Sequence, residues 1–213
     1  MLEQEIRSDI EERQLLMLKI KTLHLRYRFN EEDEQLFLNY SIPAVYAVWE
    51  GFVQTSFQTY IQELNKLNLT IDTICKPILI HHLETSFKQF REYPEKPNGK
   101  VAFFDKLNQF YRSESIDITR EVNTESNVGF KVLNKILETF NLELIPEYPE
   151  PRYSLPQELD KFLLKIRNSI AHGNNSVVIS REDLERAIKL IEVLMDLVSE
   201  KMVNGFNNNS YLN

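Results

Sequence analysis

The sequence predicts an all-α protein. Only 5 glycines fall in 213 residues, strand-like alternation is scarce, and apolar residues recur over long runs at helical spacing. Hydrophobic residues at 42% and charged residues at 27% are the balance of a folded chain rather than a disordered one. A chain of this length buries a core without staples. The one cysteine, Cys75, excludes an internal disulfide and a four-cysteine zinc site. No 18-residue apolar run is present, which excludes a membrane span. The start, MLEQEIRSDIEER, is acidic and lacks an apolar signal core, so a cytoplasmic protein is expected. The net charge of −7 argues against indiscriminate binding to DNA or membranes and leaves room for a local basic groove.

The elements follow in order. A first helix is expected over 2–29, with Leu16, Ile20, Leu23 and Tyr27 on one face. Its first half is acidic, and its second half carries Arg13, Lys19, Lys21, Arg26 and Arg28. That order complements the helix dipole; a basic strip meeting an anionic ligand is the alternative. The run Glu31–Glu34 reads as a connector. Ser41 is a good N-cap for a second helix, with Pro43 in its first turn. Ile42, Val45, Trp49, Phe52, Ser56 and Tyr60 trace its buried stripe to about Leu64. Pro77 opens a helix over 78–90, and a loop with Pro94, Pro97 and Gly99 leads to a short helix over 101–111. Residues 113–126 are polar and read as irregular; a helix is expected over 127–140.

Pro146, Pro149 and Pro151 mark a rigid extended connector inside one domain. Ser154 and Gln157 form a capping-box pattern for the next helix. Leu155, Leu159, Phe162, Leu163, Ile166 and Ile170 are its stripe, and Gly173 its C′ stop. Ser180 with Asp183 caps a last helix over 181–203. The chain thus reads as a single helical domain, 1–203, with a flexible tail, 204–213. No repeat is present.

Most familiar sites are missing: the sequence has no glycine-rich phosphate loop, no G-x-S-x-G and no H-E-x-x-H. Adjacent His81 and His82 point about 100° apart on a helix, a poor pair for one metal ion. Cys75 and His24 stand outside any constellation. No metal or other cofactor is called for.

Arg167-Asn168-Ser169-Ile170-Ala171-His172-Gly173 is different. At about 100° per residue, Arg167 and His172 lie about 140° apart, while Asn168 and His172 share a face. A permanent charge beside an apolar stripe needs an anion, a partner chain or water. An imidazole at a helix C-terminus can act as base or acid near neutral pH, and a guanidinium can hold a phosphate bidentately. Those groups suit metal-free cleavage of RNA through its own 2′-hydroxyl. A salt-bridged arginine and an ordinary C-terminal histidine fit the same spacing.

The pattern Arg167-Asn168, three residues, His172, closing a helix of an all-α chain, resembles the HEPN superfamily, whose signature is an arginine, four to six residues, then a histidine. Thr124-Glu125-Ser126-Asn127, the helix that follows through Leu142, and Trp49-Glu50-Gly51-Phe52 resemble a stand-alone bacterial branch associated with conflict and restriction systems. The resemblance runs from the second helix to Met202. It implies an up-and-down helical bundle with extra helices that dimerises through the motif face. It also implies metal-independent endoribonuclease activity, with Arg167 and His172 catalytic and Asn168 orienting them. Some superfamily toxins carry a tyrosine two residues after the histidine that a partner enzyme modifies; here that position is Asn174, which puts control by that route in doubt.

Glu50 is the one charged residue between Glu34 and Glu63. A lone buried carboxylate is costly, so Glu50 either pairs with Arg167 or His172, or faces outward or pairs elsewhere. Two functions are expected to compete. The first is a homodimeric RNase, a toxin or defence effector leaving 2′,3′-cyclic phosphate and 5′-hydroxyl ends, with an antitoxin or defence-complex partner and with Lys161, Lys165 and the Lys19–Arg28 strip guiding RNA. The second is a non-catalytic RNA- or nucleotide-binding or dimerising module of a larger defence complex.

Overall fold

In the computed structural model, which describes residues 1–90, 92–173 and 177–213, three long helices pack against one another: α1 (Leu2–Tyr27), α2 (Glu31–Asn65) and α7 (Arg181–Asn207). A π-helical stretch, Gln157–Leu164, runs directly into α6 (Lys165–Ala171), and this composite rod lies against α2 and α7 as the fourth member. Shorter helices α3 (Lys76–Ser86), α4 (Pro97–Tyr111) and α5 (Phe130–Thr139) complete the all-α architecture, with a 3-10 turn at Lys88–Phe90. No β-strand occurs among the described residues, only isolated bridges.

The second helix starts earlier than its Ser41 signal suggests. Asn30 caps it, accepting the Asp33 N–H at 2.9 Å, and Glu31, Glu32, Asp33 and Glu34 form its first turn, where negative charge meets the positive end of the dipole. The expected connector is therefore helical. Ser41 lies inside the helix and its hydroxyl donates back to the Phe37 carbonyl at 2.7 Å; Pro43 is an interior proline. Arg28, in the left-handed region at φ 47°, turns the chain between α1 and α2. The expected stripe of α2 is buried throughout, and Tyr46, Val53 and Phe57 widen it.

On α1 the buried side is Leu2, Ile6, Ile10 and Met17, whereas Leu16 and Tyr27 are exposed. The expected face is off by about one residue because Leu15-Leu16-Met17-Leu18 is apolar in every direction and cannot set a phase. Arg13 completes the inward side: its Nη1 donates to the Val48 carbonyl and its Nε to Asp9 Oδ2, both at 2.9 Å. A Cβ on Gly51 would sit 3.0 Å from Arg13 Nη1, so the missing side chain is what lets the guanidinium lie on α2.

The irregular segment 113–126 is anchored by Asn65, whose Nδ2 donates to the Ile118 carbonyl at 3.0 Å and whose Oδ1 accepts the Ile118 N–H at 2.8 Å. The Ser154 hydroxyl makes no cap bond and sits 3.5 Å from Glu147 Oε1, so the capping box expected there does not form. The box of α7 does: Ser180 and Asp183 bond reciprocally. Residues 204–213 do not fray. Helix α7 reaches Asn207, Tyr211 is buried, its carbonyl accepts the Cys75 N–H at 2.8 Å, and the Asn213 N–H reaches the Thr73 carbonyl at 3.0 Å. Tyr211 and Phe206, whose ring centroids are 5.6 Å apart, supply the apolar anchor that the asparagine-rich composition obscures. No helix among the described residues is long and apolar enough to cross a membrane.

Candidate functional site

The motif lies where α6 ends against α2. Buried Leu163 and Ile170 pin the rod to the core. On the α7 side, Arg186 holds Glu158 by two bonds of 2.7 Å and lies 4.1 Å over the Phe162 ring. The rod that carries the motif is thus fixed on two flanks.

Arg167 is half-buried. Its guanidinium carbon sits 4.9 Å from the centre of the Tyr46 ring, a cation–π contact, and its Nη1 donates to Asn168 Oδ1 at 2.9 Å. Among the described residues no carboxylate lies within ion-pair distance of Arg167. Tyr46 is buried, and its hydroxyl oxygen accepts the Val128 N–H at 2.7 Å. Burial pushes its phenol up to about 12, with Glu50 adding in the same direction and the Val128 bond and Arg167 opposing. The Trp49 indole N–H donates to the Val128 carbonyl at 2.9 Å. One residue of the 124–129 segment, Val128, is therefore gripped at both its backbone N–H and its carbonyl by Tyr46 and Trp49 of α2, which joins the two flanks of the motif into one structural unit.

His172 is the C-cap residue of α6 and is exposed; its N–H donates to the Asn168 carbonyl at 3.0 Å. Gly173 follows at φ 77°, its N–H bonding the Ile170 carbonyl at 2.9 Å, the left-handed turn that ends many helices. Asn174 lies outside the described residues. Glu50 is half-buried one turn beyond Tyr46 and, among the described residues, makes no ion pair with Arg167 or His172. The structure thus brings Arg167, Asn168 and His172 to one helix end and leaves Glu50 one turn along α2 from Tyr46, the residue that seats the guanidinium.

Lys161 and Lys165 are exposed, and Lys165 falls on the side of the rod that His172 shares by helical phase. The strip of α1 divides. Lys19, Arg26 and Arg28 are exposed, Lys21 pairs with Glu185 at 3.1 Å, and Arg13 is turned inward. Sequence reasoning missed Tyr46 as the seat of Arg167. The available signal was a buried tyrosine one turn before Glu50 on an otherwise apolar face, since such a hydroxyl needs a partner.

His81, His82 and Cys75 serve the core. His82 stacks on Phe110 with centroids 5.3 Å apart and its Nδ1 lies 3.3 Å from the Thr119 N–H; His81 leans on Phe140 at 5.1 Å. Burial lowers both imidazoles and raises the Cys75 thiol. A cleft of 720 Å³ lined by Ile80, His81, Glu84, Glu121 and Glu138 contains no motif residue.

The fold and site define an α-helical bundle with an arginine and a histidine presented at the end of one core helix. The chain belongs to the RiboL-PSP-HEPN family, whose model matches residues 6–204, and with it to the HEPN superfamily. Domains of that superfamily bind RNA, are generally nucleases and often dimerise. No curated protein and no solved structure matches the chain.

Proposed function

We propose that the protein is a metal-independent endoribonuclease that works as a homodimer in the cytoplasm. The observation that carries this reading is the seating of Arg167. A half-buried guanidinium rests on an aromatic face and on Asn168, with no carboxylate at ion-pair distance among the described residues, beside an exposed imidazole. A cation held in this way is set for an external anion, and a phosphodiester supplies one.

In the proposed reaction one His172 takes the proton of a ribose 2′-hydroxyl as that oxygen bonds to phosphorus. The phosphorus–O5′ bond breaks, and the leaving oxygen takes a proton from the His172 of the second copy. Both Arg167 side chains neutralise the charge that builds on the phosphoryl oxygens. The products are a 2′,3′-cyclic phosphate and a 5′-hydroxyl. Asn168 holds the guanidinium in place, and Lys161 and Lys165 steer the strand. Within the cell such an enzyme fits a toxin or defence effector silenced by an antitoxin or by the complex that houses it.

The test is end chemistry in EDTA. Purified protein is expected to cut RNA with the chelator present and to leave cyclic-phosphate ends, and dimers with Arg167 or His172 removed from one copy are expected to lose most of the rate. A strict metal requirement, or 3′-hydroxyl products, would contradict the scheme.

A further inference from the structure

The short helix α4 and its approach form a second surface of different chemistry. Residues 88–112 hold six of the 25 basic residues and three of the 32 acidic ones, so a net-acidic chain is locally basic there. Helix α4 buries Phe103 and half-buries Leu107 and Phe110, while Phe104 and Tyr111 look outward.

These outward rings are held from beneath. Buried Phe103 meets Phe90 at 5.3 Å, Tyr93 at 6.1 Å and Phe104 at 6.0 Å between centroids. At the other end Phe110 meets Tyr111 at 5.5 Å. Phe90, Tyr93, Phe104 and Tyr111 are nonetheless 51%, 55%, 56% and 59% exposed. Scattered single exposed aromatics are ordinary. Three exposed rings around one buried phenylalanine and a fourth on Phe110, which Phe87 links to Phe103, with cations among them, are not scattered. Lys100 Nζ stands 5.4 Å over the Tyr93 ring, and Lys96 and Lys106 are exposed alongside. Flat π-faces at fixed positions, interleaved with ammonium groups, are what a flexible polyanion with aromatic bases requires.

We propose that this surface binds single-stranded RNA, with bases stacked on Phe90, Tyr93, Phe104 and Tyr111 and phosphates met by Lys96, Lys100 and Lys106. The ligand class rests on the RNA reading above; the site shares no residue with the motif. The rings and the lysines together select the occupant, and the basic excess of the stretch comes from its ends, since exposed Glu92, Glu95 and Asp105 stand beside the three lysines. An apolar protein segment would satisfy the rings and leave the lysines unmatched, whereas a single strand satisfies both.

The test uses full-length protein carrying Arg167→Ala and His172→Ala, so that the probe survives, and a fluorescein-labelled oligouridine in an anisotropy titration. Phe104→Ala and Tyr93→Ala are each expected to weaken binding by about 5-fold or more. Phe104→Leu should weaken it comparably and Phe104→Trp should preserve it, since stacking needs a π-face. Lys100→Ala should lower the salt slope by about 0.7, and a duplex of equal length should bind less tightly. Unchanged affinity in Phe104→Ala, or full affinity in Phe104→Leu, overturns the proposal. So does a parent protein that ignores the oligonucleotide and instead self-associates, or pellets with anionic phospholipid vesicles, through Phe104. If wild type cleaves RNA while Phe104→Ala binds it as the parent does, the platform falls and the nuclease stands; stacking-dependent binding by a protein that never cleaves does the reverse.

Discussion

Replacing Tyr46 with phenylalanine and with leucine separates two roles that one side chain carries. The phenylalanine variant keeps the ring under Arg167 and removes the oxygen that accepts the Val128 N–H. A buried N–H left without its partner costs about 1–3 kcal/mol. Because Trp49 still holds the Val128 carbonyl, the segment stays tethered and the lower part of that range is expected. For a chain of this size each kcal/mol lowers the melting temperature by about 2–4 °C, so Tyr46→Phe should melt about 2–6 °C below wild type. Hydrogen exchange at the Val128 amide should speed up while RNA cleavage stays near the wild-type rate. Tyr46→Leu also removes the aromatic face beneath the guanidinium. A cation–π contact of about 0.5–2 kcal/mol, expressed in the transition state, corresponds to a rate loss of roughly 2- to 30-fold. Circular dichroism melts and single-turnover cleavage read the two effects separately. Wild-type melting and Val128 protection in Tyr46→Phe would refute the hydroxyl's part. Equal cleavage by the two variants would refute the seat.

Three further outcomes are expected. Glu50→Gln should slow cleavage with little change in melting temperature, because its charge acts on Tyr46, the seat of Arg167, and it makes no ion pair among the described residues; an unchanged rate would remove Glu50 from the site. Gly173→Ala places a Cβ at φ 77° with no described residue within 4 Å of it, so the expected cost is that of the left-handed backbone, about 1–2 kcal/mol, and urea unfolding should show it; a neutral substitution would mean that the turn tolerates alanine. His81 and His82 are held neutral by burial, with Glu84 and Glu121 near His81 and Asp117 near His82 opposing the shift. Just below pH 6.5 the unfolded chain therefore binds more protons than the folded one, so stability present above that pH is lost as pH falls. Urea unfolding at pH 7.5 and 5.5 should show the loss, and it should be smaller in His82→Gln; identical losses would place the pH response elsewhere.

What could be read from the sequence was local. The capping box of α7, the glycine stop after His172 and the buried stripe of α2 each depend on residues within a few positions of one another, and all three are present in the structure. The errors arose where local signals were ambiguous or overridden. Four apolar residues in a row blurred the phase of α1, and Ser41 before Pro43 imitated a helix start that Asn30 and the acidic run had already provided. The tail's asparagines hid Tyr211. At the site, the proximity of Arg167 and Asn168 followed from adjacency. The seat on Tyr46 did not, because it depends on how α6 docks across α2, and the π-helical turns before Lys165 rotate the rod away from the phase that a 3.6-residue period assigns.

The central claim is that Arg167 and His172 act together on RNA, and one comparison bears on it most directly. Wild type, Arg167→Ala and His172→Ala, each verified as folded by circular dichroism, are incubated with total cellular RNA in EDTA and the fragment ends are mapped. Cleavage by wild type with cyclic-phosphate ends, lost in both variants, is the predicted result. Equal cleavage by wild type and either variant would contradict it.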